Sequence, residues 1–199
     1  MKNISTLAGL CCLALCFVAV IAEAAEKPEL TTLRQDSGKN YSDMNLTFFS
    51  SYETFGSLSI GEAVKFTAPK SGWKLQAVRV VGWSEYNEST QTYPRDRNIM
   101  IEVRDSDLNL LYKFADAQNN YFLSPSGKIG EIEIPALSVT GDFYVVFYDR
   151  GAAGIGVEQS ESSGNSFIFI GGDMVPPESV FEDTNETVKI NWLIEAAGN

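Results

Sequence analysis

Short apolar runs with a period of two recur from Leu46 to the C-terminus, each ended by turn residues, and this pattern constrains the fold most. Ile99, Ile101 and Val103 alternate with Met100, Glu102 and Arg104, so one set faces inward and the other outward. Ile132 and Ile134 alternate with Glu131 and Glu133 in the same way. Ala63–Thr67 is closed by Pro69-Lys70-Ser71-Gly72, and Leu75–Trp83 follows it. Phe143–Tyr148 is apolar at both parities and is expected in the middle of a sheet. Val188, Ile190, Trp192 and Ile194 share a parity on a final strand. No window after the leader sustains a helical period. About ten strands at close spacing predict an all-β fold, an antiparallel β-sandwich of jelly-roll type.

The N-terminus predicts export. Lys2 begins a basic segment, Leu7 to Ala22 is apolar, and Ala22-Glu23-Ala24-Ala25 carries small residues where signal peptidase cuts. Residues 1–25 are expected to be a signal peptide cut after Ala24 or Ala25, with an uncleaved anchor as the alternative. Residues 26–45 are polar and weakly patterned, a surface lead-in. Residues 46–199 form a single sandwich domain. The expected location is extracellular or in the cell envelope, with no membrane insertion once the leader is removed.

Cys11, Cys12 and Cys16 all lie in the leader, and the chain has no histidine. The exported part therefore lacks disulfides, Cys/His zinc sites, cysteine nucleophiles and Ser-His-Asp triads. The remaining ~174 residues are enough to bury close to 70% of the unfolded surface and to rely on a core alone. The net charge of −11 opposes binding to phosphate backbones and anionic headgroups, so nucleic acid is not an expected partner.

Several groups of residues invite a chemical reading. Glu131 and Glu133 project from one strand face about 6–7 Å apart, a spacing that a glycosidase could use, but a strand with isoleucines in the core and glutamates in water explains the pattern more simply. Asp105, Asp107 and Asn109 match the first oxygen positions of a calcium loop, with Asp116 at the twelfth. Leu110 stands where that loop needs glycine, which favours a hairpin turn, so calcium is a possible ion and no other cofactor is expected. The glycines of residues 149–156 match no nucleotide-binding pattern and precede no helix.

The loop from Trp83 to Arg97 carries Tyr86 and Tyr93 among Asn87, Arg95 and Asp96, and Trp73 lies in the turn before the preceding strand. Aromatic faces beside polar groups suit a pyranose, which offers an apolar face and a rim of hydroxyls. Packing beneath their own loop is the structural alternative. Residues 171–187 form an acidic, proline-stiffened loop expected to cover a sheet edge. Asn45, Asn87 and Asn185 begin glycosylation sequons.

Val64-Lys65-Phe66-Thr67-Ala68-Pro69 before Trp73-Lys74-Leu75, then Asp142–Phe147, Asn165-Ser166-Phe167 and Asn191-Trp192-Leu193-Ile194, resemble secreted β-sandwich modules of prokaryotic surface proteins, also found appended to exported peptidases. The resemblance spans roughly residues 60–196. It implies a jelly-roll accessory role in adhesion or ligand binding and carries over no catalytic residues. The expected function is a secreted, non-catalytic module that binds carbohydrate or another envelope ligand. The alternatives are a structural or protein-interaction component of the envelope and a hydrolase using Glu131 and Glu133.

Overall fold

The computed structural model describes residues 29–159, 162–180 and 189–199. Thirteen strands occur among these residues: β1 (Thr31–Leu33), β2 (Thr47–Phe49), β3 (Gly61–Thr67), β4 (Lys74–Trp83), β5 (Asn98–Asp105), β6 (Leu110–Ala117), β7 (Lys128–Ser138), β8 (Asp142–Tyr148), β9 (Gly154–Gln159), β10 (Ser166–Ile170), β11 (Asp173–Val175), β12 (Ile190–Trp192) and β13 (Ile194–Gly198). They build two antiparallel sheets. The seven-stranded sheet runs β1-β13-β4-β9-β12, with β2 also on β9 and β7 also on β4; the six-stranded sheet runs β11-β10-β3-β8-β5-β6. Successive strands repeatedly cross from one sheet to the other, as in a jelly roll, and the expected all-β sandwich is what forms.

The strand count exceeds ten for local reasons. The lead-in contributes β1, whose Thr31, Thr32 and Leu33 pair with Gly198, Ala197 and Ala196. The final run is divided into β12 on β9 and β13 on β4, with Leu193 bridging by N–H to Gly156 O at 3.0 Å and by its own carbonyl to Val81 N at 3.0 Å. Every residue from Ile190 to Ala197 is buried, so this strand is covered on both faces and not on one. Val188 and residues 181–187 of the acidic loop lie outside the described residues, and within the rest of that expected loop Asp173–Val175 form the edge strand β11 on β10.

Alternation places the core. Phe143, Val145 and Phe147 of β8, Val64 and Phe66 of β3, and Ile99, Ile101 and Val103 of β5 meet Val78, Val80, Ile132 and Ile155 from the other sheet. Each large side chain contributes ~1.5–3 kcal/mol through removal from water. β8 lies between β3 and β5, the central place its two apolar faces predict. Among the described residues no helix is long and apolar enough to cross a membrane. One short helix, α1 (Ser51–Phe55), starts where Ser50 Oγ accepts the Glu53 N–H at 3.1 Å and stops at Gly56, whose φ of 66° ends it.

Candidate functional site

The two ends of β4 differ. At its start Trp73 is 0% exposed, packs 5.9 Å from the Phe143 ring, and lies under the C-terminal residues. Lys74 N donates to Asn199 O at 2.8 Å, and Gln76 Nε2 donates to Asn199 Oδ1 at 2.7 Å. Trp73 therefore does not join Tyr86 and Tyr93 at the surface. This corrects the expected aromatic trio: the turn before β4 is roofed by the chain terminus, a contact distant in sequence.

At the other end a cleft opens. Trp83 is 36% exposed, its Nε1 donates to Pro125 O at 2.6 Å, and Phe48 of β2 stands 6.4 Å away between ring centres. These rings border an outer chamber of about 440 Å³ shared with Ser50, Glu53, Thr54, Glu85 and residues 151–154. An inner chamber of about 250 Å³ is lined by Tyr93, Arg95, Arg97 and Gln118, and shares Glu53, Glu85, Gly151 and Ala152 with the outer one. The two chambers thus meet along four common residues.

The loop between β4 and β5 makes the roof. Asn87 and Thr92 pair as a small hairpin, with Asn87 Oδ1 accepting the N–H groups of Ser89 (2.9 Å) and Thr90 (3.2 Å). Tyr86 and Tyr93 pack across it with ring centres 5.1 Å apart. Ser84 Oγ and Tyr93 Oη each donate to Phe122 O at 2.7 Å, which ties the loop to the segment before β7. Burial pushes the Tyr93 hydroxyl above its ordinary range. Tyr93 and Arg95 thus reach the inner chamber, Tyr86 and Asn87 line a shallow outer surface, and Asp96 is exposed on the loop.

The floor comes from α1 and the turn after β8. Asp149 is buried; its Oδ1 accepts the Gly151 N–H at 2.6 Å and its Oδ2 the Tyr52 N–H at 3.3 Å. Gly151 has a φ of 71°, and a Cβ there would meet Tyr52 Cδ1 at 2.7 Å and Arg97 Nη1 at 2.9 Å, so only glycine lets the turn approach. Arg97 stacks 4.6 Å over the Tyr52 ring and donates from Nη1 to Arg150 O at 3.0 Å. Glu62 of β3 shares the inward parity of Val64 and Phe66 and is 0% exposed. Its Oε1 accepts the Ser51 N–H at 3.1 Å, while Oε2 has no hydrogen-bond partner among the described residues. Burial, reinforced by repulsion from Asp149, pushes the Glu62 carboxyl well above the usual carboxylate range; burial raises Asp149 too.

The other readings resolve simply. Asp105 Oδ1 accepts the N–H groups of Asp107 and Asn109, both at 2.9 Å, and Oδ2 accepts Asn109 Nδ2 at 3.0 Å, closing the β5–β6 hairpin. The Asn109 hydrogen bond holds Asp105 below its ordinary range. Register puts Asp116 opposite Ile99, six residues along β5 from Asp105 and roughly 20 Å away, so the four suggested calcium ligands do not converge. Among the described residues no group of three His, Cys, Asp or Glu is placed to hold a metal ion. Glu131 and Glu133 stand on the outer face of β7 with their isoleucine neighbours inward, and Glu131 Oε2 accepts Arg79 Nε at 2.7 Å. Asn45 and Asn87 are exposed, and Asn185 lies outside the described residues.

Sequence reasoning reached Tyr93 and Arg95 of the cleft. It missed Trp83 as the exposed tryptophan, and it missed Phe48, Glu53, Glu85, Arg97 and Gln118. Trp73 and Trp83 flank one strand at the same parity, and no local pattern separates them. Glu85 and Arg97 lie in the loop from Trp83 to Arg97 itself, while Phe48, Glu53 and Gln118 come from three further segments with no common motif.

No protein-family model matches the chain, and no curated protein matches it. Among solved structures, a single-residue variant of the clostridial cysteine protease Cwp84 after propeptide cleavage is similar, with a TM-score of 0.52 and 13% identity over 86% of this chain and 40% of that one. A structure of the cysteine protease and lectin-like domains of Cwp84, a surface layer associated protein of Clostridium difficile, gives 0.46 and 14% over 72% of this chain and 32% of that one. The first likeness is one of fold, and this chain spans well under half of that protein.

Proposed function

We propose that the protein is an exported, non-catalytic module of the cell exterior or envelope that binds carbohydrate in the cleft at the Trp83 end of the sandwich. The observation carrying this reading is the exposed indole of Trp83 beside Phe48, on the rim of a cavity whose walls include the Glu53 and Glu85 carboxylates, hydroxyls and the pre-positioned Arg97 guanidinium. An aromatic face takes the C–H face of a sugar ring, and the polar groups take its hydroxyls. The combined cleft has the size range of small-ligand sites. The leader supports export, and the fold likeness to part of a larger protease chain supports an accessory role. Isothermal titration against a panel of neutral glycans tests this. Binding by the protein and its loss in Trp83→Ala are expected; silence across the whole panel overturns the reading.

Glu53 and Glu85, which border both chambers, favour a second reading as a carboxylate-pair hydrolase. Release of reducing ends that disappears in both Glu53→Gln and Glu85→Gln would establish it over simple binding.

A further inference from the structure

Gln118 is 3% exposed, yet its Oε1 has no hydrogen-bond partner among the described residues and the side chain lines the inner chamber. Its orientation is not free. Nε2 donates to Arg95 O at 3.0 Å, and a carbonyl can only accept, so the amide must present nitrogen there and turn its oxygen elsewhere. A buried carbonyl left unpaired costs free energy that an N–H or O–H from a ligand would recover.

Arg97 supplies the complementary group. Its guanidinium is held flat by the Tyr52 ring and by one bond to Arg150 O, and it forms no ion pair with a carboxylate among the described residues. Most of its N–H donors therefore remain for a ligand, already oriented.

We propose that the inner chamber is a specificity pocket for the acetamido substituent of an amino sugar, with Gln118 Oε1 accepting the amide N–H and Arg97 donating to the acetyl carbonyl. This rests on the carbohydrate-binding reading above and narrows its ligand class. A carboxylate or phosphate would face Glu53, Glu85 and the Gln118 oxygen, three acceptors, in a chain of net charge −11. An ammonium would face Arg97. A lone hydroxyl can engage either partner, but it leaves the rest of a 250 Å³ chamber unfilled. An acetamido group brings a donor and an acceptor on opposite sides of one planar bond, and its methyl can rest against the Tyr93 ring and Ala152.

The test uses two disaccharides with one backbone, N,N′-diacetylchitobiose and cellobiose, which differ in the acetamido groups alone. Titration calorimetry should show the first bound at least about tenfold more tightly, the discrimination expected of a site built to hydrogen-bond a missing group. Gln118→Leu and Arg97→Lys, each checked for cooperative thermal unfolding, should reduce that preference to about twofold or less, read as the ratio of the two affinities within each variant. In the unaltered protein, saturation transfer should reach the acetyl methyl more strongly than the ring protons. Equal affinity for both sugars, a preference that persists in a folded variant, or weak transfer to the methyl overturns the pocket assignment and leaves the carbohydrate reading standing. Binding of some other neutral glycan, with neither disaccharide bound, does the same. No binding of any glycan overturns both.

Discussion

Trp73 and Trp83 bracket the same strand and meet opposite fates. Trp73 fills the sandwich end that the C-terminal residues close, and Gly198 passes so near its ring and the Lys74 carbonyl that no side chain fits there. Trp83 sits at the end where α1, the turn after β8 and the loop after β4 leave space between them. One end is spent on stability, and the other keeps polar and aromatic groups available to a ligand. Burial of a residue type is thus decided by which distant segment returns over it.

The largest effect that should separate the two ends is Trp73→Ala, expected to cost ~3–5 kcal/mol in urea unfolding because it empties a sealed site. Trp83→Ala should cost within about 1 kcal/mol by the same measurement. Equal losses would break the contrast. Gly198→Ala should follow at ~1–3 kcal/mol, since its Cβ meets backbone that cannot move aside.

Glu62→Gln probes the open end. The folded protein holds the Glu62 proton above the ordinary carboxylate range, so over that window the native state binds more protons than the unfolded chain and stability falls as pH rises. Unfolding midpoints between about pH 5 and pH 8 should decline in the unaltered protein and decline less in the variant, which should be more stable at the upper limit by roughly 1–2 kcal/mol. A flat profile in the unaltered protein would show that Glu62 is not held protonated. The smallest effect concerns neither end. Arg79 and Glu131 pair on an exposed face, and a double-mutant cycle should return about 0.2–1 kcal/mol.

Much of the fold was legible because strand alternation is a local property. Ile99, Ile101 and Val103 had to share a face, as did Ile132 and Ile134, whatever surrounded them. The apolar doublets of Phe143–Tyr148 required cover on both sides, and β8 lies inside its sheet. The cleft was less legible. Tyr93 and Arg95 were visible because they sit in one polar loop with aromatic interruptions. Gln118, Glu53 and Phe48 reach the same place from a turn, a helix and a strand elsewhere in the chain and carry no shared spacing. Glu62 is the sharpest case: parity with Val64 and Phe66 turns it inward, but only α1 and the Asp149 turn folding over it complete its burial.

The order of residues by itself determined that this chain would form strands, which side chains each strand would turn to one face, and that no disulfide could staple the sandwich, since no cysteine follows Cys16. Alternation along a pleated backbone and the presence or absence of a thiol need no knowledge of neighbours. Tertiary structure alone decided which end of the sandwich would be sealed, which tryptophan would meet solvent, and which carboxyl and carboxamide would be buried without full satisfaction. Those outcomes depend on contacts between segments scores of residues apart, and the free energy of burial belongs to both partners of a contact.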